Sequence, residues 1–323
     1  MSDTNYTYAV ASIRAIEPAL FSSATLEQLI ACPSYDACLR FLTEKGWGDA
    51  DTPLSADAIL TREREKTWQT IEGLQVDMKV FDVLSYPKLF HNLKAAVKEV
   101  CTESGIEGMF YTDCAVSGES MMEALRKKDF EALPASMREA AQDALETLLT
   151  TGDGQLCDVI IDRAALCAIR AAGQQAKDRL IRAYAESTVA VADIKIAARC
   201  AATGKSAEFM LRALAPCDTL DITRLTKAAA AGTEALRDYL TDAGYGDAAD
   251  ALLCSPSAFE RWCDDRIIET IQPQLFNPFT IGPVFAYALA RENEIKTVRI
   301  ILSGRQNDLP EASIRERVRK MYV

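Results

Sequence analysis

Apolar residues recur at intervals of three and four along most of this chain, which is the spacing of one buried face of an α-helix. Sustained alternation of apolar and polar residues, which is typical of a half-buried strand, is scarce. Helices are predicted over Leu26–Leu42, Ser120–Leu149, Asp158–Ala185, Val189–Ala202, Ala207–Ala213 and Ser257–Ile271. The pattern therefore predicts an all-α fold.

A sharply punctuated helix pair is predicted in the last 47 residues, Asn277 to Val323. Pro283 suits the first turn of a helix, and Gly304 stands where a C-terminal cap is expected. The apolar stripe of this helix consists of Val284, Ala288, Ile295, Val298 and Leu302. Asp308 is the predicted N-cap of a second helix, with Glu311 three residues further on. The apolar face of the second helix would consist of Ile314, Val318 and Met321.

Three segments share the order polar residue, aliphatic residue, lysine, and we call them the lysine cassettes. They are Asn92–Lys94, Asp193–Lys195 and Glu294–Lys296, and successive lysines lie 101 residues apart. A further basic residue follows each cassette within about one helical turn, at Lys98, Arg199 and Arg299. Ser12–Arg14 is a looser fourth copy. This regular spacing indicates an internal repeat of about 100 residues.

Two other pairs of segments support the repeat. Phe41–Ala50 matches Tyr239–Ala248 at six of ten positions, and the Leu-Pro pair at Leu133 recurs at Leu309. Triplication of one helical unit predicts three similar helical lobes. The predicted boundaries are 1–90 together with 277–323 for the part built from the chain ends, 91–190 for the second repeat and 191–290 for the third.

The charge balance narrows the class of function. The chain has 36 basic and 47 acidic side chains, a net charge of -11, which repels nucleic acid and anionic lipid. No uncharged apolar run approaches the roughly 20 residues that cross a bilayer, and the N-terminus does not resemble a secretory signal. We therefore expect a cytoplasmic protein that reaches a membrane, if at all, through another protein.

The cysteines do not predict a metal site. Ten cysteines are scattered without a C-x-x-C pair, and His91 is the single histidine. No zinc ligand set of familiar spacing can be assembled from them, and His91 has no matched nucleophile. We expect free thiols in a reducing compartment, and neither a metal nor a cofactor.

Thr203–Ser206 has the sequence with which a phosphate-binding P-loop ends. The first glycine of that motif would stand at position 199, which is Arg199, and the preceding segment is predicted as helix rather than strand. A helix that ends at a Gly204 cap is the favoured interpretation.

Asp264, Asp265 and Glu269 form the best enzyme hypothesis, because aspartate-rich helices hold magnesium in helical diphosphate enzymes. Such a site needs carboxylates from two helices, and no second acidic motif of that kind is present. Arg261 and Arg266 are close enough in sequence to pair with these acids. A solvated charged helix face is therefore favoured over a magnesium site.

The C-terminal sequence also resembles a known family. The segments that carry the resemblance are Gly282-Pro283, Arg291–Lys296, Arg299–Gly304, Leu309-Pro310 and Ile314–Tyr322. They closely resemble the C subunit of archaeal and bacterial V/A-type ATPases, the counterpart of the d subunit in the eukaryotic vacuolar enzyme. The resemblance recurs near the N-terminus and is loose between about Glu103 and Ala190.

This resemblance implies a three-lobed helical funnel with pseudo-threefold symmetry. It also implies a non-catalytic component of the central stalk, a socket that couples the soluble shaft to the membrane proteolipid ring during ion transport or ATP synthesis. The expected protein is one copy in a hetero-oligomer, peripheral on the cytoplasmic side, without membrane insertion. The alternatives are a free-standing helical-repeat scaffold and a helical magnesium enzyme that uses Asp264 and Asp265.

Six basic residues are candidates for contact with a partner or between lobes: Lys94, Lys195, Lys296, Arg199, Arg299 and Arg305. The three lysines could brace neighbouring helices by pairing with the surplus carboxylates, or could meet acidic groups at the tip of the shaft. The brace is favoured because partly buried lysines need a nearby acid.

Overall fold

A computed structural model describes residues 6–103, 105 and 108–323, and every regular element in these ranges is a helix. The predicted all-α fold is therefore confirmed. The α-helices are α1 (Thr7–Ile16), α2 (Ser23–Ile30), α3 (Tyr35–Glu44), α4 (Ala56–Gly73), α5 (Asp82–Thr102), α6 (Gly118–Lys127), α7 (Arg138–Thr151), α8 (Gly154–Gln175), α9 (Arg179–Thr203), α10 (Ala207–Ala213), α11 (Ile222–Ala231), α12 (Thr233–Asp242), α13 (Gly246–Cys254), α14 (Pro256–Ile271), α15 (Gly282–Gln306) and α16 (Glu311–Arg317). Short 3-10 turns occupy Glu17–Ala19, Met78–Phe81, Phe130–Ala132 and Gln272–Phe276. Within the same ranges, no helix has both the length and the apolar composition that crossing a membrane requires.

Three of the predicted helices are interrupted, and local capping explains why. The interrupted predictions are Leu26–Leu42, Ser120–Leu149 and Asp158–Ala185. Ser34 separates α2 from α3 because its hydroxyl accepts a hydrogen bond from the Ala37 N–H at 3.2 Å. Lys128 adopts a left-handed conformation that ends α6, and the extended backbone of Ala176 ends α8. Apolar periodicity continues across these breaks and does not reveal them.

The chain packs into two compact units. The first comprises the described residues of Met1–Met78, Lys177–Tyr184 and Asp247–Val323, and the second those of Lys79–Ala176 and Ala185–Gly246. The predicted three-repeat boundaries stay a prediction.

In the second unit, α5 packs against α6, α7 and α8 around a continuous apolar core. Large members of this core include Phe90, Leu93, Met121, Leu145 and Ile161. Further along the chain, α10 packs against α8 and α11, and α11 packs against α12. Within this unit, α5 and α8 thus each pack against three other helices.

The first unit is organised around α15. This helix contacts α1, α2, α3, α4, α14 and α16, and its first ten residues, Gly282 to Arg291, are buried on every side. The predicted stripe of Val284, Ala288, Ile295, Val298 and Leu302 is buried, as expected. Trp47 packs in the same core, with its ring 5.0 Å from that of Phe21.

Gly304 does not cap α15, so that prediction was wrong. The helix continues to Gln306, and Gly304 lies inside it against Ile314 of α16. A Cβ atom on Gly304 would stand 2.7 Å from Cγ1 and 2.9 Å from Cδ1 of Ile314. The glycine is needed for the close approach of the two helices rather than for a turn.

The second C-terminal helix is also shorter than predicted. Its N-cap is Pro310 rather than Asp308, which has a left-handed backbone, and it ends at Arg317. Val318 and the residues after it are not helical, so the predicted apolar face is only partly a helix face. Met321 is nevertheless buried in the core of the first unit.

We expect Gly304→Ala to lower the free energy of unfolding by about 1 to 3 kcal/mol, because the added Cβ overlaps Cγ1 and Cδ1 of the buried Ile314 and forces that side chain to shift. Gly73→Ala is the matched control, since no atom lies within 4 Å of its Cβ position near the end of α4. Replacing glycine by alanine there should raise stability by about 0.5 to 1 kcal/mol. Urea denaturation of both variants measures the difference. Equal effects at the two positions would contradict the close packing at Gly304.

Candidate functional site

The three lysine cassettes lie on the three longest helices outside α8, and their burial follows one pattern. Each lies well inside its helix, on α5, α9 and α15 respectively. The polar residues that open the cassettes, Asn92, Asp193 and Glu294, are all fully buried. The aliphatic residues Leu93, Ile194 and Ile295 are buried as well. The lysines are the exposed or half-buried members, so the three copies are equivalent in burial as well as in sequence.

Each buried polar residue accepts a hydrogen bond from the main chain of a segment outside its own helix. Asn92 Oδ1 accepts from the Tyr111 N–H at 2.8 Å, and Asp193 Oδ1 accepts from the Ala215 N–H at 3.0 Å. Glu294 Oε1 accepts from the Phe21 N–H at 2.5 Å. We call these three contacts the buried tethers.

The hydrogen bonds at Ala215 and Phe21 are buried, and these main-chain donors would be costly to leave unpaired away from water, whereas the bond at Tyr111 is part-buried. Asn92 also donates from Nδ2 to the Tyr111 carbonyl at 2.8 Å, so its amide pairs with both polar groups of that residue. Asp193 has one carboxylate oxygen, Oδ2, that is buried without a hydrogen-bond partner in the described structure. Burial raises the pKa of Asp193 to about 7, and the Ala215 N–H opposes that rise.

Lys94 and Lys296 pair with acids on other helices of their own unit. Lys94 Nζ lies 2.6 Å from Asp162 of α8, and Lys296 Nζ lies 2.7 Å from Asp264 of α14. Lys195 is half-buried on α9. These pairs are what the brace interpretation expects, but they do not test contact with another protein of an assembly.

The other basic candidates differ from one another. Arg299 Nη1 lies 2.9 Å from Asp57, whereas Arg199 is exposed on α9. Arg305 donates to the main-chain carbonyl of Ile30 and lies 3.8 Å from Glu311. Arg305 therefore connects α15 to the end of α2. Their assignment to partner or inter-lobe contacts stays a prediction.

Asp264 and Asp265 hold the segment that follows α16. Asp264 Oδ2 accepts from Arg319 Nε at 2.6 Å, in addition to its pair with Lys296, and Asp265 Oδ1 accepts from the Lys320 N–H at 2.6 Å. Burial raises the pKa of Asp265, and the Lys320 N–H opposes this rise. Both carboxyl groups are thus engaged by protein donors. Across the described residues, no group of three or more His, Cys, Asp or Glu side chains could hold a metal ion.

Two further details revise the interpretation of this acidic segment. Arg266 pairs with Glu269 at 3.5 Å, as its spacing predicts. Arg261 donates to the main-chain carbonyl of Glu316 at 3.3 Å, and its charge also acts to lower the pKa of Asp265. The acidic residues are a structural anchor for the chain after α16 rather than a solvated face.

Thr203–Ser206 is the end of one helix and the start of the next. Helix α9 ends at Thr203, and Gly204 has a positive φ of 63°, a conformation that glycine adopts without strain. The Ser206 hydroxyl then accepts from the Phe209 N–H at 3.2 Å and caps α10. The predicted glycine cap is confirmed, and the geometry is not that of a P-loop, which follows a strand.

A buried charge network beside the third cassette was not predicted. Arg291 of α15 contacts Glu63 of α4 at 2.5 Å and also pairs with Glu294. Its guanidinium lies 5.3 Å from the ring centroid of Trp47. Glu63 in turn accepts from the Gly48 N–H at 2.9 Å. The spacing of Arg291 and Glu294 indicates a pair on one helix, but the partner from α4 is visible only in the fold.

Two exposed aromatic residues were also not predicted from the sequence as candidates for a contact site. Phe276 and Phe279 are 89% and 60% exposed on the connection between α14 and α15. Arg14 holds this connection by donating to the carbonyl of Asn277 at 3.1 Å and to that of Gln274 at 2.5 Å. The aromatic side chains are therefore presented on a well-anchored segment. Their Asn-Pro surroundings predict a turn, but not which side chains face the solvent.

Over the residues that the structure describes, the protein is helical, and several of the predicted site residues form contacts within the fold. Residues 9–317 match the family model described as ATP synthase (C/AC39) subunit. The chain belongs to this family, whose members are structural, non-catalytic parts of V-type ATPases. It is 23% identical to the C subunit of the V-type sodium ATPase of Enterococcus hirae over 324 aligned positions, which cover 96% of this chain and 97% of that protein. The predicted family and the predicted absence of catalytic function are confirmed.

We expect Asp193→Asn to stabilise the protein more at pH 8 than at pH 5. The folded pKa of about 7 lies above the value of about 4 in an unfolded chain, so the parent loses stability as the pH rises between these two values. Asparagine stays neutral and can still accept the Ala215 N–H. The stability of the variant relative to the parent should rise by about 2 to 3 kcal/mol from pH 5 to pH 8, measured by urea denaturation.

Asn92→Asp provides the reciprocal control, because Asn92 holds the equivalent place in another lysine cassette and is also fully buried. When protonated, aspartic acid can donate to the Tyr111 carbonyl as the Asn92 amide does. This variant should therefore approach the parent's stability at acidic pH and fall below it at pH 8. A pH profile of Asp193→Asn that parallels the parent would show that burial does not keep Asp193 protonated.

Proposed function

We propose that this chain is the central-stalk rotor component of a V-type ATPase or ATP synthase. It would be a socket between the soluble central shaft and the proteolipid ring, held on the cytoplasmic face of the membrane by protein contacts. The match to the C/AC39 family over residues 9–317 is the observation that carries this proposal. The complex as a whole would use ATP hydrolysis to transport ions, or ion flow to make ATP.

The interior of each unit supports a mechanical role. A coupling part must transmit torque without yielding, so its long helices need fixed connections to their surroundings. The buried tethers supply such connections on α5, α9 and α15, and the charge network around Arg291 links α15 to α4. Close packing of the apolar cores adds resistance to deformation, because protein interiors have low compressibility.

The surface also favours attachment through protein rather than lipid. A net charge of -11 opposes approach to an anionic bilayer, whereas a basic face of a partner would attract it. Phe276 and Phe279 offer exposed apolar side chains of the kind that fill pockets on partner proteins.

We expect the purified chain to sediment with vesicles only when the vesicles contain the proteolipid ring. Protein-free vesicles of anionic lipid, at physiological salt, are the control. Membranes from cells that lack this chain should also retain ring and stator but fail to couple ATP hydrolysis to ion transport. Strong binding to the ring-free vesicles, or full coupling without the chain, would contradict the proposal.

The lysine cassettes allow bracing to be separated from shaft contact. We expect Lys94, Lys195 and Lys296 changed together to methionine to lower stability by about 1 to 2 kcal/mol, because pairs near the surface contribute little each. Affinity for the purified shaft proteins should stay unchanged in the folded fraction. Thermal unfolding and a binding titration at two salt concentrations provide the two measurements.

Lys127→Met is the matched control, because Lys127 pairs with Glu123 on the exposed surface of α6. It should change neither stability nor binding by a measurable amount. If the triple variant keeps its stability but binds the shaft proteins more weakly and with a smaller salt dependence, the lysines contact the shaft instead. If it matches the parent in both measurements, the cassette lysines neither brace the helices nor contact the shaft.

A further inference from the structure

A pocket of about 420 Å³ opens between α14, α15 and α16 in the first unit. Its polar wall carries three guanidinium groups, from Arg299, Arg317 and Arg319, and one carboxylate, from Glu260. The chain as a whole has a net charge of -11. The lining of the cavity itself thus carries more basic than acidic groups, and because Asp264 and Asp57 pair with two of the arginines, Arg317 is the group that most favours an anionic occupant.

The three arginines are not equally available to a ligand. The side chain of Arg319 is almost completely buried and its Nε is held 2.6 Å from Asp264, so its charge is largely compensated. Arg299 pairs with Asp57, but the Asp57 side chain is 86% exposed, and a pair so open to water is readily exchanged. Over the part of the chain that the structure describes, the exposed Arg317 guanidinium forms no ion pair.

The remaining wall of the pocket is apolar. Ile300, Leu309 and Ile314 line it, and Ile314 is itself buried against Gly304. An occupant that combines a carboxylate with an adjacent apolar side chain would meet both walls. A polyphosphate suits the pocket less well, because Glu260 would repel its additional charges and the apolar wall would face no partner.

We propose that this pocket receives an acidic segment of another protein of the same ATPase. A carboxylate of that segment lies between Arg299 and Arg317, where the planar guanidinium groups can bind its two oxygens. A neighbouring apolar side chain of the segment packs on Ile300 and Leu309. The choice of partner rests on the proposed function, whereas the charge and shape of the site rest on the pocket alone.

The test is the double reversal Arg299→Glu with Arg317→Glu. Both side chains are exposed, so the fold should be retained, which circular dichroism and thermal unfolding check. Binding is measured separately to the purified shaft proteins and to the proteolipid ring in vesicles. We expect a loss of affinity of at least about tenfold for one of the two partners. The remaining affinity of the variant for that partner should depend less on salt concentration than the affinity of the parent does.

The matched control is Arg126→Glu with Lys127→Glu on the exposed face of α6, which changes the net charge by the same amount. It should bind both partners within about twofold of the parent. Arg299→Lys with Arg317→Lys keeps the charge but removes the planar donors, and should give an intermediate affinity.

Each outcome decides one question. If the parent chain binds neither the shaft nor the ring, the proposed function fails. If the parent binds and the pocket reversal binds equally well, the proposed function stands and the pocket is not the contact. If the reversal and the α6 control lose affinity equally, the effect comes from overall charge, and this also overturns the pocket proposal.

Discussion

A buried polar side chain must find a hydrogen-bond partner, and in this protein three such side chains each accept from a main-chain N–H of a segment outside their own helix. Asn92, Asp193 and Glu294 occupy the same place in the three lysine cassettes, and each is fully buried. Without them, the segments at Tyr111 and Ala215 would lose the contact that fixes them to a long helix. The apolar cores supply most of the driving force for folding, but these directional contacts decide which loop lies against which helix.

The sequence predicts correctly that the regular elements are helices, but it does not predict where one helix ends and the next begins. Apolar periodicity indicates helices throughout, and it predicts the buried stripe of α15 residue by residue. Ser34 and Lys128 end or begin helices through local hydrogen bonds and backbone conformation, which an apolar pattern does not record. Gly304 resembles a cap because it follows an apolar stripe, whereas its role depends on Ile314, a contact that only the fold creates.

The same distinction applies to the candidate site. The equal spacing of the lysines identifies the cassettes in the sequence. Because lysine is charged, the sequence favours the lysines as the candidate contact residues. The structural role common to all three cassettes belongs to the residue two positions before each lysine, and the partners of that residue become evident only when distant segments are brought together. The pocket lined by Arg299, Arg317 and Arg319 likewise combines residues of α14, α15, α16 and the chain after α16, so no local sequence motif predicts it.

The three tethers also differ in when they can form during synthesis of the chain. Asn92 and Asp193 accept from N–H groups 19 and 22 residues later, so these contacts can close soon after their helices emerge. Phe21 and Glu294 are separated by 273 residues. The second unit, which ends at Gly246, is therefore made in full while the first still lacks α15, its central helix. Until α15 emerges, the apolar residues of the N-terminal segment lack the α15 side chains that complete their core, and during that interval the chain is most exposed to misassembly.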